Sequence, residues 1–423
     1  MWERILKIFK DVELRNKLLF VLGLLVIFRI AAHIPIPGID AENLKRFFST
    51  NQIFGLINIF SGGAMINFSI VALGVGPYIT AAIIFQLLTM IVPKLEALSK
   101  EESGRQKINQ YTRFITVPLA FLQGYGMVML LSRSSQRIII NTSPFAIFSM
   151  MVTMAAGTIF LMWIGEIISE KKVGNGISLL IFAGIVDRIP GVIQQVLVTY
   201  DQAQIANMIA FTAIALVTIV GVVMMNEAQR NIPVSYAKQV RGMKMYGGMD
   251  THLPLRVNVA GVIPIIFAIS IILLPSMVAQ FFIGAKTAWI ASAADFTMTL
   301  FGNKLFYGAL YFILVFAFTY FYTSVIFHPT QIAENLQKNG GFIPGIRPGV
   351  NTAQYLKYVT NRIILAGALF LGLLAILPTI IEQFTGLESL VIGGTSLLIV
   401  VSVVIETVKQ IEAQMLMREY EKY

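Results

Sequence analysis

The sequence predicts an all-α integral membrane protein with ten transmembrane helices. Of its 423 residues, 56% are hydrophobic and only 13% are charged, whereas a soluble globular domain carries roughly a quarter of charged residues. The mean hydropathy of +0.75 also lies outside the soluble class. The apolar residues are grouped into about ten blocks, each near the roughly 20 residues that a membrane-spanning helix requires. These observations together exclude an ordinary soluble domain.

Each apolar block is expected to form one span, with its ends defined to within a few residues. The predicted spans are 18–35, 68–92, 114–132, 146–168, 177–197, 206–225, 258–281, 305–327, 363–382 and 390–408.

The Lys and Arg residues alternate between the connections that join these spans. About 24 of them lie in the two terminal segments and every second connection, and about seven lie in the remaining connections. Because the basic side of a membrane protein faces the cytoplasm, both termini are predicted to be cytoplasmic. The cytoplasmic connections 226–257 and 328–362 are long, and loops of this length are usually functional or disordered. Their spaced Pro, Gly, Tyr and basic residues favour ordered hairpins over flexible linkers.

Ten spans divide into two halves of five, residues 1–199 and residues 200–423. If the halves are structural repeats, an odd number of spans in each places them in opposite orientations in the membrane. The count is compatible with such inverted five-helix halves, although the sequence itself displays no repeat.

An apolar stretch at about 54–66 is too short to span a membrane and is interrupted by Gly62 and Gly63. Non-helical backbone at membrane depth is tolerated only inside protein or beside water. The stretch is therefore interpreted either as a re-entrant half-helix packed inside the bundle or as an interfacial helix on the outer surface, and the residues alone favour neither.

Ionisable residues within membrane spans mark ion and proton pathways, and this chain has few of them. Most lie near a predicted span end, so a proton-coupled pump is disfavoured. A secondary transporter would require polar groups at the membrane midplane, which the spans lack. The chain has no cysteine, and it contains no sequence pattern for a metalloprotease, a serine hydrolase or a P-loop. An intramembrane enzyme is therefore not expected, and no cofactor is implied.

Two spans place aliphatic residues four positions apart, and residues with this spacing share one helix face. The pairs are Val75 with Ile79 and Ile181 with Ile185. From the residues alone, ordinary packing or a lipid-facing position explains both pairs.

Several stretches, in order along nearly the whole chain, resemble the SecY family. They are HIPIPGID at 33–40, IFSGGA at 59–64, ALGVGPYI at 72–79, ESGRQKINQYTR at 102–113, GNGIS at 174–178, THLPLRVNVAGVIP at 251–264, GFIPGIRPG at 341–349 and GGTSLLIVV at 393–401. None of these motifs is sufficient by itself, but the ordered set is highly specific.

The resemblance implies a passive protein-conducting channel that carries unfolded secretory polypeptides across the cytoplasmic membrane and releases membrane segments sideways. An aliphatic ring closes its waist, and such a constriction seals by excluding water. The implied ring residues are Val75, Ile79, Ile181, Ile185, Ile266 and Ile399. The implied plug residues, on the outer side, are Ile57, Asn58, Ile59, Phe60, Ser61, Gly62 and Gly63.

The resemblance also implies a lateral gate between spans 2 and 7–8, at which polar residues weaken the seam. Those residues would be Thr80, Gln86, Thr89 and Asn258, for which interhelical hydrogen bonding is the alternative explanation. The two long loops would dock the SecA motor or the ribosome through Arg241, Lys244 and Arg347. Further implied partners are the small subunits SecE and SecG, precursors with signal sequences, and the lipid bilayer of a bacterial inner membrane.

Overall fold

The structure is a computed structural model of the chain. It describes residues 11–40, 42–44, 63–65, 67–132, 138–187, 189–191, 194, 205–236, 239–241, 244–246, 250–282, 287–385 and 388–421. Of the predicted plug, Ile57 to Gly62 therefore lie outside the described residues.

The described part of the chain is mostly helical. Its principal helices are α1 (Val12–Ala32), α2 (Gly76–Ile91), α3 (Pro93–Lys100), α4 (Glu102–Ser132), α5 (Pro144–Glu170), α6 (Gly176–Val186), α7 (Ile205–Glu227), α8 (Ile263–Phe282), α9 (Ala288–Gly302), α10 (Lys304–Ile326), α11 (Pro329–Lys338), α12 (Val350–Thr385) and α13 (Glu388–Glu421). Its strands are β1 (Gln229–Tyr236), β2 (Gln239–Arg241), β3 (Lys244–Tyr246), β4 (Asp250–Arg256) and β5 (Gly341–Phe342).

Four helical stretches among the described residues are long and apolar enough to cross a membrane. They are Glu102–Ser132, Pro144–Glu170, Lys304–Lys338 and Val350–Leu377. A fifth arises if Gly76–Ile91 and Pro93–Ser99 are counted as one span with a bend of 109° between them. The bend follows from the sequence, because the residue before a proline is disfavoured in the helical region and Pro93 follows Val92 directly. The chain is thus a mostly helical protein with several apolar spans.

The chain forms two compact units. The first comprises Met1–Ile209, Ser270–Lys304 and Val403–Tyr423, and the second comprises Ala210–Ile269 and Leu305–Ser402. The predicted division into halves at residues 199 and 200 stays a prediction.

The first unit contains a non-helical segment, residues 67–75, where the sequence predicted the start of the second span. Consecutive turns occupy this segment, and helix α2 begins only at Gly76. The positive φ of +58° at Gly74 interrupts the helical path, and Pro77 lies in the first turn of α2, where proline is well tolerated. The helix of the second span therefore begins at Gly76, whereas the hydropathy predicted a start at residue 68.

This turn segment is packed against helix α5. A Cβ atom added at Gly157 would lie 2.0 Å from the carbonyl oxygen of Ile70, so only glycine permits the observed approach. Phe68 in the same segment is fully buried. The surrounding core also includes Met65, Met154 and other apolar side chains of α4 and α5.

The second unit contains β-structure, so the all-α prediction is wrong for the two long connections. Strand β1 pairs with β4 in an antiparallel hairpin, and β5 adds to the other edge of β1 in the order β4-β1-β5. Strands β2 and β3 form a second antiparallel pair. In connection 328–362, helix α11 precedes β5, and helix α12 begins at Val350, so this connection is not a β-hairpin of its own.

The two ends of the described chain meet in the first unit. Arg418 of α13 donates to the Asp11 carboxylate at 2.8 Å and pairs with Glu13 at 2.5 Å. Gln414, one turn earlier in α13, donates to the backbone carbonyl of Lys172. We call the contact of Arg418 with Asp11 and Glu13 the terminal clamp. Hydrogen bonding from the Leu14 amide, opposed by burial and aided by Arg418, lowers the pKa of Asp11 below its ordinary value.

The first prediction concerns the contact at Gly157. Gly157→Ala should lower the free energy of unfolding by about 1–3 kcal/mol, because the new methyl group meets rigid backbone and forces α5 away from the turn segment. The measurement is the thermal unfolding midpoint of the purified protein in detergent. Gly23→Ala is the matched control, since a Cβ atom at Gly23 meets nothing within 4 Å. Equal midpoints for the two variants would contradict the close approach.

The second prediction concerns the terminal clamp. Because the folded-state pKa of Asp11 is lowered, its stabilisation is present above the unfolded pKa and is lost as pH falls through the folded value. Arg418→Gln should therefore destabilise the protein by roughly 1 kcal/mol at neutral pH, and the deficit should shrink below about pH 4. Thermal midpoints across pH provide the test, with the exposed Arg15→Gln as the charge-matched control. A deficit that is independent of pH would assign Arg418 a packing role instead.

Candidate functional site

All six predicted ring residues are described, and all six are buried. In the first unit, Val75 is the last residue of the turn segment before α2, and Ile79 lies at the start of α2. Ile181 and Ile185 lie on α6. In the second unit, Ile266 of α8 and Ile399 of α13 are 5% and 1% exposed. Burial argues against a lipid-facing position for these side chains and is compatible with a closed ring or with ordinary packing. The assembly of all six into one ring stays a prediction.

The C-terminal end of the predicted plug is inside the protein. Of the predicted plug residues the structure describes Gly63, which has a φ of +82°. The next two residues, Ala64 and Met65, are 0% and 2% exposed. The turn segment that follows is hydrogen-bonded to the residues just after α1. The Ile36 amide donates to the Phe68 carbonyl at 2.9 Å, and the Ile70 amide donates to the Ile34 carbonyl at 3.0 Å. Irregular backbone here is thus buried and hydrogen-bonded.

Phe68 is a residue that the sequence reasoning missed. It has a φ of +40°, which is rare for a bulky side chain and costs energy. The surrounding hydrogen bonds and complete burial hold it in this conformation. No local sequence signal marks the position, because phenylalanine has no preference for positive φ.

The predicted gate residues fall into two groups. Thr80 and Thr89 are buried on α2, and their hydroxyls donate to carbonyls of their own helix, those of Gly76 and Gln86. Gln86 is half-buried on the same helix. Asn258 lies in the second unit, before α8. The structure thus gives the two threonines intrahelical hydrogen bonds, and the gate assignment of all four residues stays a prediction.

Asn258 is the centre of a polar network in the second unit. Its amide nitrogen donates to the Asn226 side chain at 2.7 Å, and its oxygen accepts from the Gly261 amide at 3.0 Å. Asn226 in turn donates to the Ser402 hydroxyl at 3.0 Å. This network joins the end of α7, the entry to α8 and helix α13. The sequence analysis found only Asn258, because the three partners are up to 176 positions apart in sequence.

Charged groups near the membrane spans are paired within the first unit. Arg29 of α1 forms an ion pair with Asp187, and Arg113 of α4 forms one with Glu166 of α5 at 2.5 Å. Pairing lowers the cost of a charge in a low-dielectric setting. Among the described residues, no group of His, Asp and Glu is arranged to hold a metal ion.

The two long connections join into one body, which we call the loop module: strands β4-β1-β5, helix α11 and the first turns of α12. A shared apolar core holds the module together. Its buried members are Ile232, Val234, Leu255, Leu336, Ile343, Leu356 and Val359. The sequence analysis treated the two connections separately, whereas the structure pairs Ser235 of one with Phe342 of the other.

Arg347 is exposed on a turn of the loop module whose backbone is fixed. Gly345 and Gly349, on either side, have φ values of +82° and +96°. The Thr352 hydroxyl donates to the Arg347 carbonyl at 2.9 Å, and the neighbouring Ile346 packs against the apolar core. The other predicted docking residues, Arg241 and Lys244, are opposite each other where strands β2 and β3 pair.

Comparisons with known proteins agree on the family. The SecY family profile matches residues 69–408. The chain is 45% identical to the protein translocase subunit SecY of Streptomyces galbus, over 98% of each chain. It is 42% identical to the protein translocase subunit SecY of Mycobacterium tuberculosis, again over 98% of each.

Solved structures with the same fold are protein-conducting channels. One such channel covers 94% of this chain and 92% of its own, with a TM-score of 0.65 at 18% identity. A SecY channel whose plug domain stabilises the closed state covers 93% and 90%, with a TM-score of 0.63 at 18% identity. The canine Sec61 channel bound to a ribosome covers 94% and 92%, with a TM-score of 0.60 at 17% identity. With a profile match over most of its length and relatives above 40% identity, the chain belongs to the SecY family.

Proposed function

We propose that this chain is the channel subunit of a protein translocase and passes unfolded polypeptides across the membrane. The observation that carries this function is the match to SecY translocase subunits along nearly the whole chain, together with the fold shared with protein-conducting channels. The protein is a channel and not an enzyme. The energy for transport is supplied by a partner motor or by the ribosome.

The proposed topology has ten spans, and contacts inside the first unit support it. Helix α1 has 21 residues and is about 32 Å long, enough to cross the hydrocarbon core of about 30 Å. Asp11 at one end of α1 contacts Arg418, so an even number of crossings separates these two residues. The contact of Lys172 with Gln414 likewise requires an even number of crossings between these two residues. Four spans before residue 172 and six after it satisfy both conditions.

Contacts at the other end of α1 support the same arrangement. The Asp40 amide donates to Ile138 at 2.9 Å, and Ile39 forms a bridge with Ile139. The start of α5 therefore lies on the same side of the membrane as the end of α1. Three crossings before α5, including α1 itself, place it on that side. In the second unit, β1 and β5 pair directly, which requires an even number of crossings between them and fits the two spans predicted there.

The chain ends and the loop module are both proposed to lie on the cytoplasmic side of the membrane. This orientation follows from the concentration of Lys and Arg on that side. The protein is accordingly placed in the cytoplasmic membrane of a bacterium, with both termini inside and the halves 1–199 and 200–423 in inverted orientation.

The proposed pore closes at the six buried aliphatic residues of the waist. Aliphatic side chains make no directional bonds, so they seal by excluding water and adapt to any passing side chain. The plug, residues 54–66, is proposed to lie on the outer side as a re-entrant half-helix. The burial of Ala64 and Met65 supports this arrangement over an interfacial helix. A lateral gate at Thr80, Gln86, Thr89 and Asn258 releases membrane segments into the bilayer.

The loop module is proposed as the docking surface for the SecA motor and the ribosome. Arg347 presents a planar group of donors that suits carboxylates and phosphates on a turn whose backbone is already ordered. Structural neighbours were solved on ribosomes, which supports a ribosomal partner here. The small subunits SecE and SecG complete the proposed complex, and precursors with signal sequences are its substrates.

The third prediction tests the channel and the ring together. A photoreactive residue placed at Ile185 or Ile399 should crosslink to a secretory precursor arrested during transport, because the translocating chain must pass the waist. The matched control is the same photoreactive residue at Trp163, which is 58% exposed on α5 and is expected to face lipid. Gel analysis of the crosslinked products provides the measurement. Equal crosslinking at Trp163 would contradict passage through the waist, and crosslinks at Val75 without any at Ile185 would remove Ile185 from the ring.

The fourth prediction concerns docking at Arg347. Arg347→Glu should reduce motor-driven export by about tenfold at limiting motor concentration, because reversing a contact charge creates repulsion at the interface. The protein should still insert and assemble, since Arg347 is exposed and its turn is held by backbone contacts. Translocation into proteoliposomes is the measurement, and Lys107→Glu, at an exposed position of α4 outside the loop module, is the charge-matched control. Normal export by Arg347→Glu would refute docking at this residue and leave the channel function untouched.

A further inference from the structure

Helix α9 lies between the predicted seventh and eighth spans and is too short to cross a membrane itself. Its 15 residues extend about 22 Å, whereas the hydrocarbon core is about 30 Å thick. Helix α8 ends at Phe282, a few residues before α9, and the single residue Asn303 separates α9 from α10. Because both ends of α9 are so close to a span, the helix must lie near a membrane surface.

One exposed stripe of α9 is apolar. Trp289 and Phe296 are 72% and 69% exposed. An α-helix turns by about 100° per residue, so seven positions bring these two aromatic side chains to the same face, two turns apart. Ala293, which is also exposed, lies between them on this face. We call Trp289, Ala293 and Phe296 the aromatic stripe.

A second exposed stripe of the same helix is polar. Ser292, Asp295 and Thr299 are all exposed, and they lie about 40–100° round the helix from Phe296. They all lie on the same side of the aromatic stripe. The exposed surface of α9 is therefore sorted into an apolar sector and an adjoining polar sector.

The third face of α9 is covered by the protein. Ala294 is 5% exposed, and Met298 and Phe301 are half-buried. By helical geometry these three residues lie opposite the aromatic stripe. The packing of α9 against the protein thus directs the aromatic stripe outward, and the two aromatic side chains are left for a partner outside the described chain.

A lipid bilayer fits this arrangement better than a protein surface. A helix at a membrane surface buries one apolar stripe among the lipids and keeps the adjoining polar residues in water, which is the division seen on α9. Tryptophan is enriched at this level of the membrane because its ring is apolar and its N–H is polar. Asp295 is the sole charged residue of α9, so attraction to anionic headgroups does not contribute.

We propose that α9 is an interfacial helix whose aromatic stripe inserts at the boundary between lipid headgroups and acyl chains. The inference rests on the proposed topology, which makes this the outer leaflet. Anchored in this way, α9 holds the connection between α8 and α10 at a fixed depth.

The experiment measures which quenchers reach Trp289 in the full-length chain. Trp289 becomes the sole tryptophan after Trp2→Phe and Trp163→Phe, and the protein is placed in phosphatidylcholine nanodiscs. Bromine near the headgroup end of the acyl chains should quench Trp289 more strongly than bromine near the methyl end, since such a helix inserts by about 5–10 Å. Aqueous acrylamide should quench little, and exchange of phosphatidylcholine for phosphatidylglycerol should change nothing.

Two variants move the sole tryptophan along the same helix in a Trp289→Phe background. Phe296→Trp keeps it on the aromatic stripe and should reproduce the quenching of Trp289. Thr299→Trp moves it to the polar stripe and should exchange quenching by bromine for quenching by acrylamide. This pair is matched, because both positions are exposed and lie within one turn of each other.

A third variant separates failure of this inference from failure of the proposed topology. Trp2→Phe with Trp289→Phe leaves Trp163, which is 58% exposed on the apolar span α5 and should be quenched by bromine. Quenching of Trp163 without quenching of Trp289 would refute the interfacial helix and leave the membrane placement of the chain intact. Loss of quenching at both would refute both.

Three further outcomes would overturn the proposal. Quenching of Trp289 by acrylamide and not by bromine would place the aromatic stripe in water. Protection of Trp289 from both quenchers would assign the stripe to a protein surface, such as a second copy of the chain. Equal quenching by bromine at Trp289 and after Thr299→Trp would remove the distinction between the two stripes.

Discussion

Backbone amides and carbonyls that lie outside helices must find hydrogen-bond partners within the protein when the chain is at membrane depth. The turn segment 67–75 is where this requirement acts most strongly. Its amides and carbonyls bond within the segment and to the end of α1, and its side chains fill the core of the first unit. Gly157 permits the necessary approach of α5. The start of α2, and with it the positions of Val75 and Ile79, depends on how this segment is held.

The same requirement explains where polar groups occur in the two units. Arg29 and Arg113 each form an ion pair with a carboxylate. The Asn258 side chain forms hydrogen bonds with the Asn226 side chain and the Gly261 amide. Arg29 thus joins α1 to the end of α6, Arg113 joins α4 to α5, and Asn226 joins α7 to the segment before α8. Polar residues therefore connect helices whose apolar surfaces alone give little directional preference, because lipid is as apolar as the side chains it would replace.

A channel that performs no chemistry needs an ordered surface to which its source of energy can bind. The loop module is the surface proposed for this role, and it is ordered because the two long connections share one sheet and one apolar core. The positive φ values at Gly345 and Gly349 and the bond from Thr352 fix the turn that carries Arg347. An arginine on a preorganised turn loses less conformational entropy on binding than one on a flexible loop.

Hydropathy and charge were sufficient to predict a membrane protein with several long apolar helices, because both properties are local to a segment. Ordered motifs were sufficient for the SecY family, which the comparisons confirm. The all-α prediction failed at β1 and β4, and the second span starts later than its apolar block, because strand pairing and the turns at 67–75 depend on distant partners. The contacts of Arg418 with Asp11 and of Asn226 with Ser402 link residues more than 170 positions apart. Only the tertiary structure decides such pairs, since a hydrogen bond or ion pair depends on distance in space, for which a linear pattern has no signal.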